Sequence, residues 1–374
     1  MADYTPDRLL EELRKVRYPG YSRDIVSFGI VKGVKFHEGI VSARFELSTD
    51  RPELLEQMKT EAEKVLAALP GVTRVLVETK AMPPAGKTGQ TAGLQTDDAL
   101  VPGVRHKVAV ASGKGGVGKS TVAVNLAVSL ARLGWRTGLL DADIYGPSIP
   151  MMMGADGPPG QEGMKAVPFE RHGVKIMSIG FFLDKDAALI WRGPMVMKAI
   201  TQLLGDVLWG DLDYLIVDLP PGTGDAQLTL SQSIKMAGAV IVTTPQDVAL
   251  IDAVKGVTMF RKVDVPILGI VENMSFFTCP HCGERTDIFD HGGARREAGR
   301  LGAPFLGEIP IDPSIRAGGD RGVPIVAGAP ESPQALAFLG IAAGIARQLD
   351  GRESPEGGEE GASMLGRLRK TLGV

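Results

Sequence analysis

Short apolar runs alternate with helical stretches between residues 105 and 350, and this pattern predicts a series of βαβ units. Strands joined in this way form parallel sheets that carry helices on both faces. The predicted fold class is therefore α/β, with a mostly parallel sheet in a domain that spans residues 105–350. The candidate strands are residues 107–112, 137–141, 174–179, 214–218, 239–243, 267–271 and 304–308.

Residues 1–82 carry a different pattern, which predicts a small α+β domain. Apolar residues at helical spacing predict one helix over residues 6–16 and a second helix that begins near Pro52. Alternating apolar and polar residues predict three strands, over residues 24–34, 39–47 and 72–78.

Two segments show neither the helical spacing nor the strand alternation of apolar residues through most of their length. Residues 83–104 are rich in Pro, Gly, Thr, Gln and Ala, which predicts a flexible linker. Residues 351–374 begin with a Gly- and Glu-rich stretch that we expect to be disordered, and they end in a short amphipathic basic pattern. That ending favours a frayed C-terminal helix. A docking peptide for a partner is the alternative, and the stretch is short for membrane contact.

Composition narrows the classes of function. The formal net charge of −3 gives no global electrostatic attraction to nucleic acid, so no nucleic-acid partner is expected. The sequence contains neither an apolar run of membrane-spanning length nor a secretory signal pattern, so we expect no stable membrane association. Two cysteines in 374 residues exclude a disulfide scaffold and favour a reducing, cytoplasmic setting.

The strongest chemical signal is a glycine-rich stretch between a predicted strand and a predicted helix, with the pattern G-x-x-x-x-G-K-S. This context is typical of a phosphate loop, in which backbone N–H groups and a helix N-terminus bind the phosphates of ATP. Lys119 is expected to reach the β- and γ-phosphates, and Ser120 to hold Mg²⁺ through its hydroxyl. The expected nucleotide-binding residues are Gly113, Lys114, Gly115, Gly116, Val117, Gly118, Lys119, Ser120 and Thr121.

Lys114 is a second lysine in the loop that the general pattern does not require. A lysine at this position can point toward a nucleotide on a facing subunit and neutralise charge that develops at the γ-phosphate, as an arginine finger does. A solvated loop lysine is the alternative.

Acidic and amide side chains follow the ends of three further predicted strands, where an open α/β sheet binds its ligand. Asp141 and Asp143 form a pair; one can hold Lys119 or Mg²⁺-bound water, and we assign Asp143 to the attacking water. Asp218 is expected to act on the Mg²⁺ shell. Asn273 has the donor and acceptor needed to recognise adenine, with an ordinary turn asparagine as the alternative.

Cys279 and Cys282 form a C-x-x-C turn. Two thiolates do not complete the four-coordinate shell of zinc or of an iron–sulfur cluster. With nitrogen ligands from His281 and His291 they could form a mononuclear zinc knuckle, and in a two-fold dimer four thiolates could bind a [4Fe–4S] cluster. A redox dithiol would need a thioredoxin-like setting, which the predicted sheet does not offer.

Taken together, these motifs resemble the Mrp/ApbC family of P-loop iron–sulfur carrier or scaffold proteins, which are related to the MinD and nitrogenase-iron-protein ATPases. The resemblance covers roughly residues 105–345. The N-terminal domain resembles, less strongly, the small domain of iron–sulfur assembly factors, through Asp24–Ser27 and Gly29–Val31. The matching stretches of the larger domain are Gly113–Thr121, Asp141–Ser148, Trp191–Met195, Asp218–Asp225, Glu272–Ser275, Cys279–Cys282 and Gly307–Asp312.

The resemblance implies a homodimer in which Lys114 acts across the interface. It also implies that Cys279 and Cys282 of both subunits hold a labile [4Fe–4S] cluster, and that slow Mg²⁺-dependent ATP hydrolysis drives cluster handling. We interpret the chain as a carrier that transfers clusters to apo iron–sulfur proteins, with a weak ATPase that gates the transfer.

Two other functions stay open on the sequence. One is a MinD/ParA-like positioning ATPase that binds a surface through its dimer state and basic tail. The other is a zinc-stabilised nucleotide switch that acts only as a binding module. The cysteine pair discriminates among them, because a positioning ATPase does not need it and a zinc module would be colourless with stoichiometric zinc.

Overall fold

The computed structural model describes residues 4–16, 24–26, 30–37, 39–48, 52–82, 100–182, 193–355 and residue 366. The chain divides into two compact units, Met1–Gly93 and Leu94–Val374.

The described part of the first unit contains a three-stranded sheet in the order β1–β2–β3, packed with two helices. β1 and β2 pair antiparallel, whereas β2 and β3 pair parallel around the crossover helix α2. The helix α1 begins where the Thr5 hydroxyl accepts a hydrogen bond from the Arg8 N–H. The predicted first strand starts later than expected, at Val31. The elements are α1 (Pro6–Leu13), β1 (Val31–His37), β2 (Ile40–Ser48), α2 (Pro52–Ala67) and β3 (Arg74–Met82).

The described part of the second unit is organised around a mostly parallel nine-stranded sheet. Its order is β13–β12–β11–β4–β10–β5–β9–β8, and β14 also pairs with β12. Antiparallel pairing occurs at the two ends, between β12 and β13 and between β8 and β9. The strands are β4 (Val104–Ser112), β5 (Thr137–Asp141), β8 (Phe169–Arg171), β9 (Val174–Ser178), β10 (Leu212–Asp218), β11 (Gly238–Thr243), β12 (Ile267–Thr278), β13 (Arg285–Thr286) and β14 (Phe305–Ile311), with a separate hairpin of β6 (Gly160–Glu162) and β7 (Lys165–Val167).

Helices cover this sheet. Every residue of β5 and β11 is buried, which requires cover on both faces of the sheet. The α/β prediction is confirmed. The helices are α3 (Lys119–Arg132), α4 (Ile149–Met152), α5 (Gly193–Gly205), α6 (Asp225–Ser233), α7 (Asp247–Lys262), α8 (Gly293–Leu301), α9 (Pro313–Asp320), α10 (Ile325–Gly328) and α11 (Pro333–Asp350), with a 3₁₀ turn at Ile179–Phe182.

The strand predicted over residues 267–271 is much longer in the structure. β12 continues to Thr278, and its second half pairs with β13 and β14 after an irregularity between Asn273 and Phe277. The prediction stops at residue 271 because the polar residues Glu272 and Asn273 interrupt the apolar run there, before the strand ends. This extension carries the chain from the edge of the parallel sheet to the cysteine turn.

The ends of the second unit differ from the predicted linker and tail. Val101 and Val104 are buried in its core, so the predicted linker 83–104 overlaps the folded unit; its residues 83–99 lie outside the described residues. The predicted tail also begins too early, because the Trp135 indole donates a hydrogen bond to the Glu353 carbonyl. The amphipathic pattern near the C-terminus lies outside the described residues, apart from residue 366. Among the described residues no helix combines the length and the apolar character needed to cross a bilayer.

Candidate nucleotide and cysteine site

The phosphate loop connects the end of β4 at Ser112 to the start of α3 at Lys119. Gly116 and Gly118 both have φ of +81°, a left-handed conformation that favours glycine. A Cβ on Gly118 would lie only 2.2 Å from Asn273 Nδ2, so the loop also needs glycine for space. Gly118 caps α3 without a side-chain hydrogen bond, which leaves the N-terminal N–H groups of the helix directed toward an anion.

Lys119, Ser120 and Asp218 come together at the base of this loop. Lys119 Nζ donates to Asp218 Oδ1 at 2.6 Å, and Ser120 Oγ donates to Asp218 Oδ2 at 2.6 Å. Asp143 Oδ2 lies 3.5 Å from the same ammonium. The structure therefore brings together four of the residues that the sequence assigned to phosphate, magnesium and water.

The two aspartates at the base of the site are fully buried and differ in their partners. Burial raises the pKa of Asp218, and the Lys119 ammonium opposes this rise. Burial, followed by the nearby charge of Asp218, raises the pKa of Asp141 to about 8. Asp141 accepts hydrogen bonds from Ser178 Oγ at 2.9 Å and from the Ile149 N–H at 3.3 Å. It therefore organises the loop after β5, and the contacts to Lys119 are made by Asp143 and Asp218.

Oxygen donors of the kind that Mg²⁺ prefers line this position. The Ser120 hydroxyl and the Asp218 carboxylate lie side by side, and the Asp143 carboxylate faces the same ammonium. In this arrangement both Asp218 oxygens accept hydrogen bonds from Lys119 and Ser120. The donor set fits the ion.

The rest of the loop surrounds this base. Gly113 packs tightly on α7, because a Cβ there would lie 2.3 Å from the backbone of Asp252. Gly115 is exposed with open space around it. Lys114 is half-buried, and its carbonyl accepts a hydrogen bond from Ser112 Oγ at 2.9 Å. Within the described part of the chain its ammonium has no hydrogen-bond or ion-pair partner, and it is not part of the Lys119 cluster. Thr121 is half-buried at the start of α3, and its carbonyl accepts from Asn125.

Asn273 packs against the loop. Its side chain is 5% exposed, and its Nδ2 donates to the Val117 carbonyl at 2.8 Å. The donor that the sequence assigned to adenine is thus engaged with the phosphate loop in this structure.

The loop after β10 is also tied to the phosphate loop. The Gly222 N–H donates to the Ser112 carbonyl at 2.9 Å, and Gly222 has a φ of +104°. Gln227, buried in α6, donates to the Pro220 carbonyl at 2.6 Å. This loop therefore contacts the end of β4, where the phosphate loop begins.

The cysteine pair occupies the turn between β12 and β13. The turn is closed by two backbone hydrogen bonds, from the Cys279 N–H to Glu284 and from the Gly283 N–H to Cys279. Cys282 is exposed and Cys279 half-buried. The pKa of the Cys279 thiol is lowered by hydrogen bonds from the backbone N–H groups of Cys282 and His281. Such a turn stabilises a thiolate, the form that binds metals.

Of the two histidines that could complete a zinc site, His281 lies in the turn and His291 contacts Glu308. His291 Nε2 lies 3.1 Å from Glu308 Oε2, and His281 is exposed. No group of three or more His, Cys, Asp or Glu side chains in the described residues is arranged to hold a metal ion. Each chain therefore offers two thiols at an accessible turn.

Sequence reasoning missed two glutamates near this turn. Glu272 is fully buried and accepts hydrogen bonds from the first turn of α8, while Glu308 lies opposite it on β14. A charged residue directly after an apolar strand was the available signal for Glu272.

Comparisons with known proteins agree with this geometry. Residues 103–346 match the model of the NUBPL iron-transfer P-loop NTPase family, and residues 6–77 match the iron–sulfur cluster assembly protein model. The iron–sulfur cluster carrier protein of Deinococcus radiodurans is 47% identical over 356 residues, covering 94% of this chain and 97% of the relative. The iron–sulfur cluster transfer protein NUBPL of Dictyostelium discoideum is 50% identical over 259 residues, covering 68% and 80%.

A solved structure shares the fold of the second unit. It is a nucleotide-binding protein of Archaeoglobus fulgidus in complex with ADP, 41% identical, with a TM-score of 0.58 over 66% of this chain and 97% of that chain. The family resemblance and the P-loop NTPase fold are thus confirmed. The chain belongs to the NUBPL iron-transfer P-loop NTPase family.

Proposed function

We propose that this protein binds an iron–sulfur cluster as cargo and transfers it to apoproteins, while ATP binding and slow hydrolysis at the phosphate loop control the transfer. The observation that carries the proposal is the turn at Cys279 and Cys282. It holds both cysteines of the chain at an accessible position and directs backbone N–H groups toward a thiolate. The names of the most similar relatives support the same cargo.

Two chains are needed to complete the cluster site. A [4Fe–4S] cluster takes four thiolates, and each chain supplies two. A two-fold axis at the turn would bring the two pairs together, because both chains of such a dimer use the same surface. An exposed cluster on that axis would be accessible to a recipient apoprotein.

The nucleotide site has the groups that slow hydrolysis requires. Lys119 would exchange Asp218 for the β- and γ-phosphates, and Asp143 would orient the attacking water. Ser120 and Asp218 would hold Mg²⁺, which would offset the negative charge of the phosphates. Lys114, without a partner in the described part of its own chain, would act on the nucleotide of the other subunit.

Asn273 would recognise adenine only by giving up its hydrogen bond to Val117. This role predicts that Asn273→Ala weakens ATP binding more than it weakens binding of inorganic triphosphate. Equal losses for both ligands would assign Asn273 to the shape of the loop alone.

Anaerobic reconstitution with ferrous iron and sulfide tests the cargo. We expect visible absorption, about four iron atoms per dimer, and loss of both in Cys279→Ala and Cys282→Ala. Transfer is then followed by the activation of an apoprotein that needs a [4Fe–4S] cluster.

Lys119→Ala is the matched control, because it should take up the cluster normally and lose nucleotide binding. A chain that remains a colourless monomer under these conditions would contradict the proposed cargo. Stoichiometric zinc bound by the cysteines would favour a nucleotide switch, and full function of the cysteine variants would favour a positioning ATPase.

A further inference from the structure

The segment Glu272–Ser275 contacts the phosphate loop and the start of α8. Asn273 Nδ2 donates to the Val117 carbonyl at 2.8 Å, and Met274 Cε would lie 3.7 Å from a Cβ on Gly118. Successive side chains of a strand point to opposite faces of the sheet. Glu272 is therefore directed away from the phosphate loop, toward the elements that follow the cysteine turn.

Glu272 fixes the start of α8. Its carboxylate has no exposed surface and accepts hydrogen bonds from the Gly292 N–H at 3.1 Å and from the Ala294 N–H at 2.7 Å. The N-cap residue of α8 is Gly292, which has no side chain to cap the helix. A carboxylate at a helix N-terminus satisfies free N–H groups and complements the helix dipole. The position of α8 thus depends on Glu272.

A second glutamate holds the same region one strand away. Glu308 pairs in register with Glu272 across β12 and β14. Its carboxylate lies 3.1 Å from His291, 3.5 Å from Arg295 in α8 and 3.7 Å from Arg285 in β13. The helix α8 therefore contacts both carboxylates, and the cysteine hairpin contacts Glu308 through Arg285.

The strand β12 is irregular directly after Asn273. Met274 has a φ of +56°, and the β12–β14 register shifts between Asn273 and Phe277. A non-glycine residue in the left-handed region costs on the order of 1–3 kcal/mol and persists only where its surroundings hold it. Ser275 Oγ closes this irregular segment by donating to Glu272 Oε1 at 2.7 Å. A change in the phosphate loop can therefore alter this segment.

We propose that Glu272 is a positioning residue that couples the nucleotide state of the phosphate loop to the cysteine turn. When phosphates bind, the backbone at Val117 and Gly118 shifts, Asn273 follows, and Glu272 carries the movement to α8 and the hairpin. This route is separate from the loop after β10. It rests on the proposed function only in treating the cysteine pair as the cargo site.

The two cysteines make the coupling measurable without a cluster. They are the only cysteines in the sequence, so alkylation of the full-length apoprotein by a small thiol reagent reports on this turn alone. We expect a non-hydrolysable ATP analogue to change the alkylation rate of the parent by about fivefold or more, the lower end of typical coupling between sites. Glu272→Gln should bind the analogue with the parent's affinity and alkylate at one rate with or without it.

Asp312→Asn is the matched control, because Asp312 also caps a helix, accepting from the Ser314 N–H at 2.7 Å at the start of α9. It should keep the nucleotide response. Ser275→Ala, which removes one hydrogen bond to Glu272, repeats the test if Glu272→Gln does not fold, and it should weaken the response.

Three results would contradict the inference. The first is a parent protein whose alkylation rate does not change with the analogue. The others are a Glu272→Gln variant that keeps the full response and an Asp312→Asn variant that loses it equally. Loss of nucleotide affinity in Glu272→Gln would place the residue in the binding site itself. The proposed cargo is tested separately by iron uptake, so a chain that binds a cluster while failing the alkylation test refutes only the coupling.

Discussion

Lys119 Nζ lies 2.6 Å from Asp218 Oδ1, and that carboxylate has no exposed surface. The ammonium is thus held at the base of the phosphate loop by the Asp218 carboxylate. To contact the phosphates of a nucleotide, Lys119 would have to give up this ion pair. Under the proposed function, ATP would replace this ion pair by one between Lys119 and the phosphates, beside Ser120 and Asp143.

Lys119→Ala should raise the Kd for ATP by about 100-fold or more, which corresponds to roughly 2.8 kcal/mol. The cause is loss of the one buried cation at the base of the loop in the described residues. Calorimetric titration measures the effect. Arg316→Ala is a control, because it removes an exposed cation that pairs with Asp320 in α9 and not a buried one at the loop. Near-parental affinity in Lys119→Ala would remove Lys119 from the phosphate site.

Lys114→Ala should bind ATP normally and hydrolyse it about tenfold or more slowly, because the variant loses a cation that stabilises the transition state. Phosphate release measures the rate. An equal rate in the variant and the parent would refute the role.

Mixing Lys114→Ala with Lys119→Ala tests whether this lysine acts across a dimer. In a mixed dimer the Lys114→Ala chain binds ATP, and its Lys119→Ala partner supplies the missing lysine. We therefore expect the mixture to hydrolyse ATP faster than either impaired protein alone. Heterodimers that form without recovery would place Lys114 on its own chain's nucleotide.

Asp141 should make stability depend on pH. Its pKa is raised from 3.8 to about 8 in the folded protein, so the folded state holds a proton that the unfolded state releases. The stability that Asp141 contributes should therefore fall as pH rises from 3.8 to about 8, and the loss should level off above about pH 8. Asp141→Asn removes this titration, so its melting temperature relative to the parent should rise between pH 5 and pH 8.

Asp213 provides a control of opposite sign. The Arg136 guanidinium donates hydrogen bonds to Asp213 and lowers the pKa of its carboxyl below 3.8. Its contribution is present at neutral pH and is lost as pH falls through the folded pKa. Asp213→Asn should thus be less stable than the parent at neutral pH, with a difference that shrinks in acid. A flat profile for Asp141→Asn relative to the parent would contradict the raised pKa.

Gly118→Ala should destabilise the loop by about 1–3 kcal/mol, because alanine at a φ of +81° is strained. A second cost comes from the collision with Asn273 Nδ2 at 2.2 Å. Unfolding in denaturant measures both. The double variant Gly118→Ala/Asn273→Ala should recover the steric part and leave the backbone part. Additive effects of the two changes would show that the residues do not interact.

The sequence predicts which residues meet at the base of the phosphate loop, because the loop motif fixes Lys119 and Ser120 by local geometry and Asp218 follows a neighbouring strand in the sheet. The contacts of Asn273 were harder to predict. Its partner Val117 is 156 positions away, and only packing decides that the amide faces the loop. Glu272 was missed for a related reason, since its role depends on where α8 begins. The length of β12 was underestimated because the polar residues that follow residue 271 interrupt the apolar pattern.

The long strand β12 has a geometrical consequence for the whole molecule. Asn273 lies within β12 and Cys279 follows its last residue, Thr278, so the six positions between them span at most roughly 20 Å at about 3.3 Å per residue. The number of residues in this part of the strand therefore limits how far the cysteine turn can lie from the phosphate loop. Inserting a single residue between Met274 and Phe277 would reverse the faces of the Phe277 and Thr278 side chains and shift their pairing with β13, on which the cysteine turn rests.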